Sequence, residues 1–275
     1  MAVAGCPARS PNLGAVNSEM TGAVEATAAA RGLPAEPFAR SGRPPSGRAG
    51  RTFQTRQRKL GKRQIEAVET LLPSMGLIPA PEVLDQPTVF GRVAPLIIDI
   101  GFGLGDSTAA LARLYPDHNV IGIEVHRPGV ANLAMLLDAQ GSTNVRLIET
   151  DALDVLTWMI EPGSVGVVAT YFPDPWPKAS QRWRRLINDS FAELLASRLR
   201  PGGRWLVATD DAGYAHQALA AAVAVDGLDV ANDTFSARDP QRPLTKYERR
   251  GIREGRPIFD FTAVRRTPSP DGSKS

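Results

Sequence analysis

The sequence predicts a doubly wound α/β fold built on a mostly parallel sheet, and three observations carry that expectation. Leu96–Ile100 (LIIDI) is a short apolar run closed by an acid and a glycine turn, the pattern of a strand buried on both faces. Four more strand-like runs follow it, separated by segments of helical periodicity, and such alternation builds a parallel sheet covered by helices. Acids close the first three runs at Asp99, Glu124 and Asp151, which would line them up on the carboxyl edge where such folds bind ligands.

Each element follows in order. Residues 1–48 are rich in Ala, Gly, Pro, Ser and Arg with few large apolar side chains, so burial cannot offset their ordering entropy and disorder is expected. Residues 49–75 form a basic arm and a helix. Arg51, Arg56, Arg58, Lys59, Lys62 and Arg63 come without an intervening acid, and Gln64–Leu72 then places apolar residues at helical spacing up to Pro73. Residues 76–266 form the folded domain. After LIIDI come a helix over Ser107–Leu114, a strand over 119–124 and a helix from about Val130 to Ala139. A strand over 144–149 and a short helical segment over Ala152–Met159 follow. The fourth strand spans 164–172, and Arg185–Ser197 reads as a long helix. The fifth strand spans 203–210, with Ala212–Val225 helical, and Leu228–Ala231 and Ile258–Val264 are the last two strand candidates. Residues 267–275 are expected to be a disordered tail.

Composition excludes several classes. With 275 residues, 43% hydrophobic and 22% charged, the chain can bury the core of one α/β domain with appendages. No apolar run approaches the roughly 18–20 residues of a membrane helix, and Ala218–Val225 is too short. The N-terminal stretch lacks a basic region leading into a long apolar block, so a cytoplasmic location is expected. Cys6 is the single cysteine, which excludes an intramolecular disulfide or a multi-cysteine zinc site. His118, His126 and His216 show no ligand spacing, so no metal is expected. The net charge of +3 is modest, but basic residues cluster at Arg51–Arg63, at Lys178, Arg182, Arg184 and Arg185, and at Lys246, Arg249, Arg250, Arg253 and Arg256. Such clusters suit a polyanion through counterion release.

The glycine turn Asp99-Ile-Gly101-Phe-Gly103-Leu-Gly105 lets backbone approach a ligand closely. A dinucleotide site wants glycine at 106, where Asp106 stands. The observed spacing, acid-x-G-x-G-x-G, resembles the first motif of the class I S-adenosylmethionine methyltransferases. Its carboxylates suit a sulfonium cation where a pyrophosphate would want a free helix N-terminus. Glu124 is placed to accept ribose hydroxyls and Asp151 to accept from an adenine amino group; Asp151 also reads as a helix cap.

After the fourth strand, three prolines stiffen Phe172-Pro-Asp174-Pro-Trp176-Pro-Lys178. The loop would present Asp174 beside the Trp176 ring, a pairing suited to gripping a flat heterocycle. Trp158 and Trp205 read as core.

With these residues in view the chain, over roughly Arg51–Val264, resembles the bacterial tRNA (guanine-N7-)-methyltransferases. The resemblance rests on DIGFGLG at 99–105, GIEVHRPGV at 122–130, FPDPWPK at 172–178, ATD at 208–210 and TKYERRG at 245–251. It implies a Rossmann-like class I methyltransferase fold, a seven-stranded sheet with an antiparallel last strand, S-adenosylmethionine as cofactor and tRNA as partner, with the target guanine in the variable loop at position 46. At matching positions it implies cofactor contacts from Asp99, Gly101, Gly103, Gly105, Glu124, Asp151 and Asp174, with Asp174 also catalytic. Lys178, Asp210, Thr245, Lys246, Tyr247 and Glu248 are the implied substrate contacts. The chain departs from the family at Asp99, where Glu is usual, and at Lys178–Arg185, where K-A-R-H-x-K-R-R is replaced by KASQRWRR.

Guanine N7 offers an in-plane lone pair, so no obligatory general base is expected. Alternatives remain at this level: an acceptor such as an exocyclic base amine, whose enzymes often carry [DN]-P-P-[YFW] near the position of Asp174-Pro-Trp-Pro; a non-catalytic nucleotide- or RNA-binding module; and an NAD-dependent oxidoreductase, disfavoured by Asp106. Monomer and homodimer both remain open.

Overall fold

The computed structural model describes Phe53 and residues 59–268. The extension expected over 1–48, with Cys6, lies outside the described residues, as do Arg51, Arg56 and Arg58 of the basic arm and residues 269–275 of the tail.

The basic arm leads into α1 (Lys62–Thr70), followed by α2 (Leu72–Met75). Pro73 does not end the first helix. The break falls at Leu71, and Pro73 sits in the first turn of α2, where its missing N–H forfeits no helical bond. Gln64 ties α1 to the body by donating to the Pro128 carbonyl at 3.1 Å.

The sheet is then built from β1 (Gly76–Leu77), β2 (Leu96–Ile100), β3 (Asn119–Ile123), β4 (Val145–Ile148), β5 (Val165–Tyr171), β6 (Leu199–Thr209), β7 (Leu228–Val230) and β8 (Phe259–Arg265). Helix α3 (Gln86–Phe90) precedes β2; α4 (Asp106–Leu114), α5 (Arg127–Gln140) and α6 (Ala152–Asp154) follow β2, β3 and β4 in turn. A π-helical turn, Val155–Met159, extends α6. A 3-10 helix over Ala179–Arg184 precedes α7 (Asp189–Arg198); α8 (Ala212–Val223) follows β6, and α9 (Lys246–Arg253) precedes β8.

Strand order is β1-β4-β3-β2-β5-β6-β8-β7. Strands β1 to β6 pair in parallel, while β8 runs antiparallel to both β6 and β7. The count is eight where seven were expected. The addition is β1, whose two residues pair with Leu147 and Ile148 at the edge and are too few to show a period. The long helix expected from Arg185 starts at Asp189, because the Asn188 side chain accepts the Phe191 N–H at 3.2 Å and fixes the first turn there.

The core lies on both faces of the sheet, as alternation along each strand requires. Ile98 packs with Trp205 and Phe191 on one face, and Ile97 with Leu133 and Leu147 on the other. Trp205 is fully buried and meets Phe191 and Phe261 edge-on at 5.9 and 6.0 Å. Its indole N–H donates to Thr170 Oγ1 at 3.1 Å, so burying it leaves no donor unpaired. Trp158 is also in the core, as the sequence indicates.

Two features of this topology decide where ligands can sit. After β2 the chain winds toward β3 on one side, and it later returns to place β5 on the other. The carboxyl ends of β2 and β5 therefore flank the switch point of the sheet, the crevice such folds use for ligands. The reversed direction of β8 sets its first residue, Phe259, beside Thr209 at the end of β6. Helix α9, just before β8, is thereby delivered to the same edge.

Candidate active site

The glycine loop joins β2 to α4, and residues 101, 103 and 105 all hold positive φ. At Gly105 (φ 92°) a Cβ would stand 2.6 Å from Leu133 Cβ, so only glycine fits against α5. At Gly101 (φ 71°) a Cβ would meet nothing within 4 Å, and the loop opens there onto free space. The three glycine N–H groups are already spent: Gly101 donates to the Ile123 carbonyl at 2.8 Å, Gly103 to Glu124 Oε2 at 2.8 Å and Gly105 to the Phe102 carbonyl at 3.0 Å. A loop with these amides engaged is a poor phosphate cradle, which removes the physical basis of a dinucleotide site.

Asp99 and Glu124 contact this loop or the helix it opens, while Asp174 and Asp151 stand after β5 and β4 and do not line the small cleft there. Asp99 is buried, and its Oδ2 accepts from Ser107 Oγ and Thr108 Oγ1, both at 2.7 Å. Burial pushes its pKa up, and the two hydroxyls pull it partly back. Glu124, at the end of β3, accepts from the N–H groups of Gly103, Val125 and His126 at 2.7–2.9 Å. Burial raises its pKa, backbone donors oppose that, and the charge of Asp174 raises it further. Asp174 is exposed on the loop after β5, close enough for its charge to act on Glu124. Asp151 accepts the Leu153 N–H at 3.0 Å as the N-cap of α6.

Asp99, Gly101, Phe102 and Ser107 share one small cleft with Tyr171, Thr245, Lys246 and Tyr247. The structure thus joins residues about 145 positions apart in sequence. The Tyr247 ring lies over the loop, 3.2 Å from where a Cβ on Gly103 would stand, and Arg249 pairs with Asp106 at 3.4 Å. Tyr171, buried at the end of β5, has its pKa raised by burial first and by the charge of Asp99 second.

Other sequence-indicated residues are placed differently. Glu248 is fully buried; its carboxylate takes Arg238 at 2.7 Å and Arg242 at 2.8 Å, and Arg242 continues to Asp260 at 2.9 Å. Thr245 Oγ1 caps α9 by accepting the Glu248 N–H at 3.1 Å. Asp210 holds Arg256 at 2.7 Å. Lys178 and Lys246 are exposed.

The proline loop carries two corrections. Trp176 does not offer a free face to a heterocycle: it is buried, with positive φ, and the Arg184 guanidinium lies 4.1 Å from its ring centroid. Arg185, grouped above in a basic cluster suited to a polyanion, is only 2% exposed. It donates to the Pro175 carbonyl at 2.7 Å, to Gln217 Oε1 at 3.0 Å and to the Gly213 carbonyl at 3.2 Å, and its guanidinium lies 4.8 Å from the Tyr214 ring centroid. The residues the sequence analysis missed are Ser107, Thr108, Tyr171 and Arg242, and Arg185 was read there only as one of a basic cluster. Ser107 and Thr108 directly follow the glycine motif and could have been found as partners for a buried acid; nothing local marks the burial of Arg185 or of Arg242.

Among the described residues, no helix is long and apolar enough to cross a membrane, and no group of three or more His, Cys, Asp or Glu is arranged to hold a metal ion.

The family described as "Putative methyltransferase" matches residues 93–261, from just before β2 into β8, which makes the chain a methyltransferase of the doubly wound class. It is 42% identical over 217 residues to the tRNA (guanine-N(7)-)-methyltransferase of Hydrogenovibrio crunogenus, covering 78% of this chain and 90% of that protein. It is 43% identical over 213 residues to the enzyme of the same name from Chromobacterium violaceum, covering 78% and 94%. The chain belongs to the tRNA (guanine-N(7)-)-methyltransferase family.

Proposed function

We propose that this protein transfers the methyl group of S-adenosylmethionine to N7 of a guanine in tRNA, at position 46 of the variable loop, and that residues 76–266 carry the activity with 49–75 as a basic arm. The observation that carries this reading is the cleft at the β2/β5 switch, built jointly by the Asp99–Gly105 loop and Thr245–Tyr247. The donor set fits the cofactor. The glycine amides are engaged, open space lies at Gly101, and the carboxylates of Asp99, Glu124 and Asp174 complement a cation better than a phosphate.

When bound, the cofactor supplies an electrophilic methyl group on a sulfonium. Asp99 would hold its cationic end together with the glycine loop, Glu124 its ribose hydroxyls and Asp151 its adenine amino group. The acceptor needs no deprotonation, because N7 carries its lone pair in the ring plane. The chain's task is then alignment, which in favourable cases supplies up to about 7–11 kcal/mol, and stabilisation of the charge that grows on the guanine. Asp174, held out on the proline loop, is the carboxylate aimed at that charge, and it acts more on the transition state than on the ground state.

Lys178 and Lys246 are exposed cations for tRNA phosphates, and Tyr247, half exposed, is available to the base. Asp210 and Glu248 act at one remove: they hold Arg256, Arg238 and Arg242 and so position α9 over the cleft. Lys59, Lys62 and Arg63, all exposed, extend the cationic surface for the polyanion.

The test is incubation of the full chain with unmodified tRNA transcripts and methyl-labelled S-adenosylmethionine, followed by mild reduction and aniline cleavage. Chain scission at a single guanine in the variable loop is the expected result. Label incorporated without scission would place the methyl group elsewhere and overturn the N7 assignment.

A further inference from the structure

We infer that Trp183 is a stacking platform for an unpaired tRNA base beside the reacting guanine, a proposal that rests on the tRNA reading above. Of the four tryptophans, Trp158, Trp176 and Trp205 are buried, whereas Trp183 is 55% exposed. A single exposed apolar side chain is ordinary; this one is held in place. Its indole N–H donates to the Ser180 carbonyl at 3.0 Å. One neighbour is Arg184, whose guanidinium lies 5.6 Å from the Trp183 centroid and 4.1 Å from that of Trp176, and which also donates to the Phe53 carbonyl at 3.2 Å. Arg184 therefore links the exposed ring to the buried one on the loop that carries Asp174. A ring oriented before binding loses little conformational freedom when a partner stacks on it.

The surroundings select the partner. From Pro175 to Asn188 the chain carries Lys178, Arg182, Arg184 and Arg185 and no acid. Arg184 and Arg185, which follow the ring, are turned inward, while Lys178 and Arg182, which precede it, are exposed. An exposed π-face on a segment that also carries exposed cations suits a ligand with a flat base and a phosphate, which is a nucleic acid with an unstacked base. Extruding a guanine leaves its neighbour without a stacking partner, and Trp183 supplies one.

The experiment compares the full-length parent, Trp183→Ala and Trp183→Phe for binding to an unmodified tRNA transcript across a range of salt, with cofactor affinity and melting temperature measured alongside. Trp183→Ala is expected to weaken tRNA binding roughly five- to a hundredfold with the salt slope, cofactor affinity and melting temperature unchanged. Trp183→Phe should recover most of the affinity. The parent's tryptophan fluorescence should be quenched by tRNA, and Trp183→Phe should lose that quench while still binding. Full affinity in Trp183→Ala, with the parent still methylating tRNA, overturns this proposal and leaves the function intact. If Trp183→Ala keeps full tRNA affinity but loses a self-association seen in the parent, the ring serves a protein contact and the proposal falls. If the parent neither binds nor methylates tRNA, both readings fall.

Discussion

Arg185 donates to the Pro175 carbonyl at 2.7 Å from a guanidinium that solvent scarcely reaches. This bond ties the loop bearing Asp174 to α8, where the same guanidinium reaches Gln217 and Gly213. Prolines stiffen the loop, but the buried arginine fixes where it points. Replacing Arg185 with Met removes its bonds to Pro175, Gly213 and Gln217 together with its ion pair to Asp211, and is expected to destabilise the fold by roughly 2–5 kcal/mol. Turnover should fall further than this loss of folded protein explains, while S-adenosylmethionine affinity of the folded fraction holds. Chemical denaturation beside single-turnover kinetics measures both; an unaltered single-turnover rate would remove Arg185 from any positioning role.

Gly105 and Gly101 should respond differently to alanine. At Gly105 the new Cβ meets Leu133 at 2.6 Å in a left-handed backbone, and strain with overpacking together is expected to destabilise by about 2–4 kcal/mol. At Gly101 the backbone is strained but the space is open, so the variant should fold with a loss nearer 1 kcal/mol and fail mainly in cofactor binding. Thermal melts and cofactor titration of both variants check the contrast. It fails if Gly101→Ala binds S-adenosylmethionine as the parent does.

Asp174→Asn keeps the shape of the loop tip and removes its charge. Turnover is expected to drop about a hundredfold, by analogy with the loss of one preorganised electrostatic group, with tRNA affinity changed far less. Equal losses in both would assign Asp174 to binding and not to the chemical step. The pKa of Glu124 should fall in the same variant, since the Asp174 charge raises it.

Asp154 gives the stability curve a pH signature. Burial and then the charge of Asp151 push its pKa up to about 7 from an ordinary 3.8, and one carboxylate oxygen is buried without a hydrogen-bond partner among the described residues. A carboxyl whose folded pKa lies above its unfolded value binds its proton more tightly when folded, so its contribution to stability declines as pH climbs from the lower value through the higher one. Asp154→Asn is expected to raise Tm by a few degrees at pH 8 and to leave it nearly unchanged at pH 4. Equal shifts at both pH values would show that charge is not the cause.

Glu248 separates two accounts of one motif. Its carboxylate is fully buried between Arg238 and Arg242, so Glu248→Gln should destabilise by about 3–5 kcal/mol, the usual result of breaking a buried pair. The tRNA affinity of the folded fraction should change little. A large loss of tRNA affinity in a variant that melts like the parent would mean the side chain touches RNA after all.

How much of the site was legible in the sequence depends on the range of the interaction. The glycine loop, the acids at strand ends and the proline loop are local patterns, and each sits within one strand–turn–helix unit. Asp151 as a cap was legible too, because capping needs only a neighbour two residues on. The eighth strand was not, since two residues carry no period. The burial of Trp176 and Arg185 was not either: a tryptophan or an arginine in a loop looks the same in sequence whether its neighbours are water or, as here, a guanidinium and a proline carbonyl.

The sequence by itself determined the fold class, the sheet edge at which the acids gather and the family, because hydrophobic period and turn chemistry act over a few residues and need no partner from elsewhere. Only the tertiary structure decided which charges face solvent and which are spent on one another. The antiparallel course of β8 brings Thr245–Tyr247 against the glycine loop, and the packing of this segment strips water from Glu248 and Arg242 while Lys178 and Trp183 stay exposed. Removing a charge from water is penalised unless a partner is placed within hydrogen-bond reach, and whether one is depends on contacts that no stretch of neighbouring residues encodes.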